Sequence, residues 1–120
     1  NVMVVHGMDG LDEITLSTNT LICELKDKKI TSYTFDPRNI GYDYISLEDI
    51  KGRDPKYNAE CFFKMIEGDY SQFQKIVELN AGAAIYLSGQ CSNIKDGALI
   101  ASKAINEGIT KEFIMKITNE

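Results

Sequence analysis

Val2-Met3-Val4-Val5-His6-Gly7-Met8-Asp9-Gly10-Leu11-Asp12-Glu13 is the stretch that decides how the chain is read. The unbroken apolar run Val2 to Val5, ended by Gly7, has the pattern of a strand covered on both faces, as in a parallel or mixed sheet. Asp9, Asp12 and Glu13 follow within five residues, and Gly7 and Gly10 let such a loop curl and aim its carboxylates at one point. In open α/β sheets, ligands lie beyond the carboxyl ends of the strands, which is where this loop falls. Magnesium takes oxygen ligands, commonly one or two carboxylates with water and substrate phosphates in the remaining places. Spacing alone leaves two readings open: a magnesium loop, or an acidic surface turn whose glycines serve only its curvature.

Outward from the loop, Ile14-Thr15-Leu16 predicts a short extended stretch and Ser17-Thr18-Asn19-Thr20 a polar turn. The β-rich segments Thr20 to Leu25 and Ile30 to Phe35, joined by Lys26-Asp27-Lys28-Lys29, predict an antiparallel hairpin, which Asp36-Pro37 stops. Ser46-Leu47-Glu48-Asp49 resembles a capping box that opens a short helix closed by Gly52. From Asp54-Pro55, an N-cap and first-turn proline, the pattern becomes helical. A stripe of Ala59, Phe62, Phe63 and Ile66 runs to Gly68, and a second helix carries Phe73, Ile76, Val77, Ala81, Ala84 and Ile85.

The second helix is apolar on nearly every side from Leu79 to Leu87, so it is predicted to run through the core. Asn80 and Gly82 interrupt it. A buried Asn needs hydrogen-bond partners, and a mid-helix Gly, about 1 kcal/mol worse than Ala, points to close backbone packing. A third helix over 93–106, capped by Ser92, has a stripe of Ile94, Ala98, Ala101 and Ile105, and a final short helix includes Phe113, Ile114 and Ile117. The fold class expected is α/β: mixed sheet strands and a hairpin followed by packed helices, one domain in 120 residues.

Composition narrows the function. With 13 basic against 18 acidic residues and a net charge of −5, the chain lacks the clustered Lys and Arg that release counterions from a phosphate backbone, so no nucleic-acid partner is expected. No apolar run reaches the length of a membrane span. Cys23, Cys61 and Cys91 are odd in number and each lies in an apolar stretch, which predicts buried free thiols and fits a reducing, cytoplasmic setting. His6 is the only histidine, so no Ser-His-Asp or Cys-His arrangement can be assembled and no catalytic side chain is assigned. Gly7-Met8-Asp9-Gly10 lacks the third glycine and following helix of a dinucleotide fingerprint. Asn1 leads straight into the strand, and we expect the chain to be a fragment of something longer.

The stretch from Val2 to Glu13 closely resembles the signature of the anthranilate phosphoribosyltransferase family, in which a hydrophobic strand leads into His-Gly-x-Asp-Gly-Leu-Asp-Glu. Lys51-Gly52-Arg53-Asp54 followed by Asn58-Ala59 resembles the family's Gly-Gly-Asp/Ser…Asn-Ala segment. Leu79-Asn80-Ala81-Gly82-Ala83-Ala84-Ile85-Tyr86-Leu87-Ser88-Gly89 resembles its Leu-Asn-Ala-Ala-Ala-Ala-Leu…Gly helix. Arg53 and Gly82 stand where the family usually has Gly and Ala.

The resemblance implies the phosphoribosyltransferase and nucleoside phosphorylase type of α/β domain, of which residues 1–120 would be the carboxy-terminal part, without the N-terminal helical domain. It implies transfer of phosphoribosyl from phosphoribosyl pyrophosphate to anthranilate in tryptophan biosynthesis, with Mg2+ as cofactor and a homodimer in the full-length enzyme. Asp12 and Glu13 would hold the metal, His6 and Gly7 would contact substrate, and Asp9, His6 and Gly7 would shape the loop. This piece alone is expected to be inactive. Two alternatives stand beside this reading: a pyrimidine nucleoside phosphorylase relative, whose reaction has no pyrophosphate needing magnesium, and a non-catalytic homologous domain that binds metal or a partner.

Overall fold

The computed structural model describes residues 1–69 and 71–118. A three-stranded sheet in the order β1-β2-β3 is formed by β1 (Val2–Gly7), β2 (Thr20–Lys26) and β3 (Lys29–Phe35), all antiparallel. Two 3-10 turns, Pro37–Ile40 and Leu47–Asp49, lead to the helices α1 (Pro55–Ile66), α2 (Gln72–Leu87), α3 (Ile94–Asn106) and α4 (Ile109–Thr118). The expected α/β order of strands, hairpin and packed helices is present.

The hairpin is tighter than its four charged residues suggested. Lys26 pairs with Lys29, so only Asp27 and Lys28 form the turn, with φ of 50° and 62°. Positive φ at both central residues is the geometry whose twist matches that of the flanking strands. Residue alternation then sorts the sheet: Met3, Val5, Ile22 and Phe35 face the helices, while Val2, Val4, His6, Leu21, Cys23 and Leu25 face outward. Val4 is 65% exposed, so within this chain β1 is covered on one face, not both; its apolar run exceeds what an antiparallel pair buries here.

The core joins Ile22 and Phe35 of the sheet to Ile76, Leu79 and Ala83 of α2 and Ile94 of α3, with Ile14 and Leu16 between them. These last two, 1% and 0% exposed, belong to no strand. The expected extended stretch is instead a buried loop segment. On the inward face, Glu24 accepts hydrogen bonds from the hydroxyls of Tyr86 of α2 (2.7 Å) and Tyr33 (3.2 Å). Burial and the facing Glu24 carboxylate push the Tyr33 phenol up to about 12.

Helix α2 supplies most of the helical core, as its apolar run required, but its deeply buried positions are Gln74, Ile76, Glu78, Leu79, Gly82 and Ala83, whereas Ala84 is exposed. The α3 stripe of Ile94, Ala98, Ala101 and Ile105 is buried as read. Its cap is Asn93, one residue later than expected, because the Asn93 side chain reaches the amide of Asp96 at 2.9 Å. In α1 only Met65 and Ile66 are buried and Ala59 and Phe63 are exposed, since this helix is fully covered only at its last turn. The turn after Ser46 is 3-10 and ends at Ile50, before Gly52. The cysteines are free, but Cys23 is exposed and Cys61 and Cys91 are half-buried, because each lies on a face with little packed over it. Among the described residues no helix is long and apolar enough to cross a membrane.

Gly82 and Gly97 form the closest backbone approach between α2 and α3. A Cβ at Gly82 would lie 2.4 Å from the Ala98 nitrogen and 2.6 Å from its Cα, and one at Gly97 would strike the Gly82 carbonyl. Backbone atoms cannot swing aside, so the two helices would have to separate. Gly82→Ala should therefore lower the unfolding temperature: overpacking of about 1–3 kcal/mol outweighs the ~1 kcal/mol gain in helix propensity. A thermal melt that is unchanged or raised would show that the helices part freely.

Candidate functional site

The acidic loop starts where β1 ends. The Gly7 amide donates to the Leu11 carbonyl and the Gly10 amide to the Gly7 carbonyl, both at 2.9 Å, closing a tight turn. Gly10 has a φ of 96°, a backbone region that glycine enters without steric cost. Gly7 is required for a different reason: a Cβ there would lie 2.5 Å from the Asp9 carboxylate. The Met8 amide, donating to the Asn19 carbonyl at 2.9 Å, ties the start of the loop to the residue just before β2.

The three acids, adjacent in sequence, divide into two kinds. Asp9 turns inward: one oxygen accepts the Leu11 amide at 3.1 Å, and the other accepts the hydroxyls of Thr15, at 2.5 Å, and Ser17. Burial raises its pKa, but the hydrogen bonds from Ser17, Thr15 and Leu11 together outweigh that and hold it below the ordinary carboxylate value of 3.8. Asp12 and Glu13 are exposed, with neither carboxylate in a hydrogen bond or ion pair among the described residues. Hard oxygen donors free of other partners suit magnesium, and two carboxylates are what such a site commonly takes from protein. Among the described residues no three His, Cys, Asp or Glu side chains form a cluster able to hold a metal by themselves. The pair therefore fits a magnesium ion that draws its other ligands from water and phosphate.

Glu13 lines a cleft of about 380 Å3, with Leu11 beside it and Leu47, Glu48, Ile50 and Lys51 opposite. The opposite wall is held in shape by Asn58 of α1, whose carboxamide accepts from the Arg53 amide at 2.8 Å and donates to the Arg53 carbonyl at 3.2 Å. Asn80 of α2 makes the same kind of bidentate contact with Ile14, the residue after Glu13. Thus all three segments that carried the sequence resemblance meet around one loop. Of the residues proposed from sequence, Gly7, Asp12 and Glu13 share the loop, while His6 is exposed on the outward face of β1, paired in register with Leu21. Sequence reading left Asn58 and Asn80 without partners. Their signals were the family-like words Asn58-Ala59 and Leu79-Asn80-Ala81 and, for Asn80, a carboxamide in an otherwise apolar helix stretch.

A depressed carboxyl pKa stabilises the fold above the unfolded value and loses that contribution as pH falls through the folded value. Asp9 should therefore contribute fully above pH 3.8 and progressively less below it. Asp9→Asn, whose single acceptor oxygen cannot serve both the Leu11 amide and the two hydroxyls as the two carboxylate oxygens do, should be less stable than the parent at neutral pH, with the gap narrowing as pH drops below 3.8. Acid titration of the two proteins by circular dichroism reads this, and a gap independent of pH would contradict it.

The family described as "Glycosyl transferase family, a/b domain" matches residues 1–111. A curated relative from Clostridium beijerinckii, named anthranilate phosphoribosyltransferase, is 47% identical over 104 residues, which are 87% of this chain and 31% of the relative. The crystal structure of anthranilate phosphoribosyltransferase from Thermus thermophilus superposes with a TM-score of 0.79 at 29% identity, covering 88% of this chain and 31% of that one. The Saccharomyces cerevisiae enzyme in complex with PRPP and Mg matches in fold, with a TM-score of 0.79 at 22% identity over 88% of this chain and 31% of that one. The chain spans about a third of the length of the curated relatives it matches. With the family match running over residues 1–111, from β1 and its acidic loop into the last helix, this chain belongs to the glycosyl transferase family, a/b domain.

Proposed function

We propose that the chain is the carboxy-terminal part of an anthranilate phosphoribosyltransferase and supplies the metal-binding carboxylates of its active site. One observation carries this: Asp9 is consumed inside the loop, while Asp12 and Glu13 are held beside it, exposed and unpaired. Exposed carboxylates with no protein partner can give their oxygens to a cation, whereas those of Asp9 are already taken. The 47% identity to a relative of that name supports the substrate assignment, phosphoribosyl pyrophosphate and anthranilate. Homodimerisation and a cytoplasmic location come with the same assignment.

The reaction breaks the bond between the ribose anomeric carbon and pyrophosphate and forms one to the anthranilate nitrogen, which loses a proton. Magnesium, when bound, would neutralise charge that develops on the departing pyrophosphate. In this chain Asp12 and Glu13 would offer oxygen ligands at the mouth of the cleft. Gly7, by lacking a side chain, lets Asp9 fold beneath them, and Asp9 keeps the loop from rearranging. His6, exposed at the end of β1, borders the same strand end and would contact substrate. The phosphates and the acceptor would be positioned by residues outside this chain.

The full-length protein should consume anthranilate only when phosphoribosyl pyrophosphate and magnesium are both present, which loss of anthranilate fluorescence measures directly. No loss with folded full-length protein would remove the assignment. The double variant Asp12→Asn, Glu13→Gln should need at least about tenfold more magnesium for half its maximal rate, in the range seen when metal-site support is removed. Its far-ultraviolet spectrum should stay unaltered, since neither side chain has a structural partner. An unchanged magnesium requirement would exclude the pair as ligands.

A further inference from the structure

Asn80 lies on α2, 66 residues from the loop in sequence, yet its carboxamide reads both backbone polar groups of one loop residue. The Ile14 amide donates to Asn80 Oδ1 at 2.9 Å, and Asn80 Nδ2 donates to the Ile14 carbonyl at 2.8 Å. The remaining Nδ2 hydrogen goes to the Ile76 carbonyl at 3.0 Å, one turn back on the helix. This third bond fixes which way the amide faces. Reversed, the amide would set donor against donor at Ile14 and lose Ile76 as well.

Ile14 immediately follows Glu13 and is 1% exposed, so its side chain is held by the core while Asn80 sets the direction of its backbone. The reference is itself stiff, because α2 is in backbone contact with α3 at Gly82 and Gly97, half a turn beyond Asn80. Asp9 braces the loop from within; Asn80 ties its exit to the helical layer. Two adjacent carboxylates repel each other and, on a loose loop, would spread apart in water. A segment with one end clamped has less conformational freedom to lose when a cation binds, so less ordering is needed at that step.

We infer that Asn80 is a positioning residue for the Asp12–Glu13 pair, clamping the backbone at Ile14 so that both carboxylates address one cation. The metal role rests on the functional reading above; the clamp does not. Two variants of the full-length protein separate them. Asn80→Ala removes the clamp, and Ile76→Val trims the same helix's core face while leaving its backbone carbonyl in place.

Hydrogen exchange at the Ile14 amide should be slow in the parent and in Ile76→Val and at least about tenfold faster in Asn80→Ala. Equal protection in Asn80→Ala would overturn the proposal. In the transferase assay Asn80→Ala should raise the magnesium concentration for half-maximal rate about tenfold, leaving the KM for anthranilate near that of the parent, whereas Ile76→Val should leave both unchanged. A magnesium requirement shifted equally by both variants would reduce Asn80 to a stability element and overturn the proposal. If Asn80→Ala does not fold, Asn80→Asp, which keeps the acceptor and loses both donors, is read by the same criteria. A parent protein without magnesium-dependent activity would end the functional reading, and the exchange measurement would still decide whether the clamp exists.

Discussion

Residues 14–16 run through the centre of this fold without belonging to any strand, and both backbone groups of Ile14, the Thr15 amide and the Leu16 carbonyl find partners there. Buried amides and carbonyls outside a ladder are destabilising unless each is hydrogen-bonded. Asn80 meets both groups of Ile14, the Thr20 hydroxyl accepts the Thr15 amide at 3.1 Å, and the Leu16 carbonyl accepts the Ile45 amide at 2.9 Å. With those bonds in place, Ile14 and Leu16 can seal the gap between sheet and helices. A buried loop then becomes a foundation, and the acidic turn rises directly from it.

That foundation explains how three carboxylates within five residues come to differ. Asp9 sits where hydroxyls and an amide converge and is committed to shape; Asp12 and Glu13 lie a step outside that ring and remain available. Glycine enters twice for unlike reasons, at Gly10 for a left-handed φ and at Gly7 for the room that Asp9 needs. The same closeness recurs between α2 and α3, where Gly82 and Gly97 bring two helix backbones together and so stiffen the helix that bears Asn80.

Periodicity exposed the elements wherever the local pattern and the packing agreed. The β-rich hairpin segments and the α3 stripe were both legible, because each presents one face to a continuous partner. It misled where neighbours were missing or unusual. Phe63 has helical spacing but meets only the edge of Phe62 among rings and stays half exposed, Val4 belongs to an apolar run with only one face covered, and Ile14 to Leu16 look extended yet pair with groups outside any strand ladder. The hairpin turn was overestimated because non-glycine residues seldom take positive φ, and here Asp27 and Lys28 both do.

The sequence by itself determined the family words, the acidic loop and the order of strands and helices, because these are written in residue types and spacings a few positions long. It also marked Asn80 and Gly82 as exceptions that demanded a reason. Only the tertiary structure decided what the exceptions do, which acids stay free and which segments surround them. Those outcomes depend on groups 66 residues apart meeting within 3 Å, and on how closely two helix backbones approach. Such distances are set by the packing of the whole core, and no local stretch of sequence contains them.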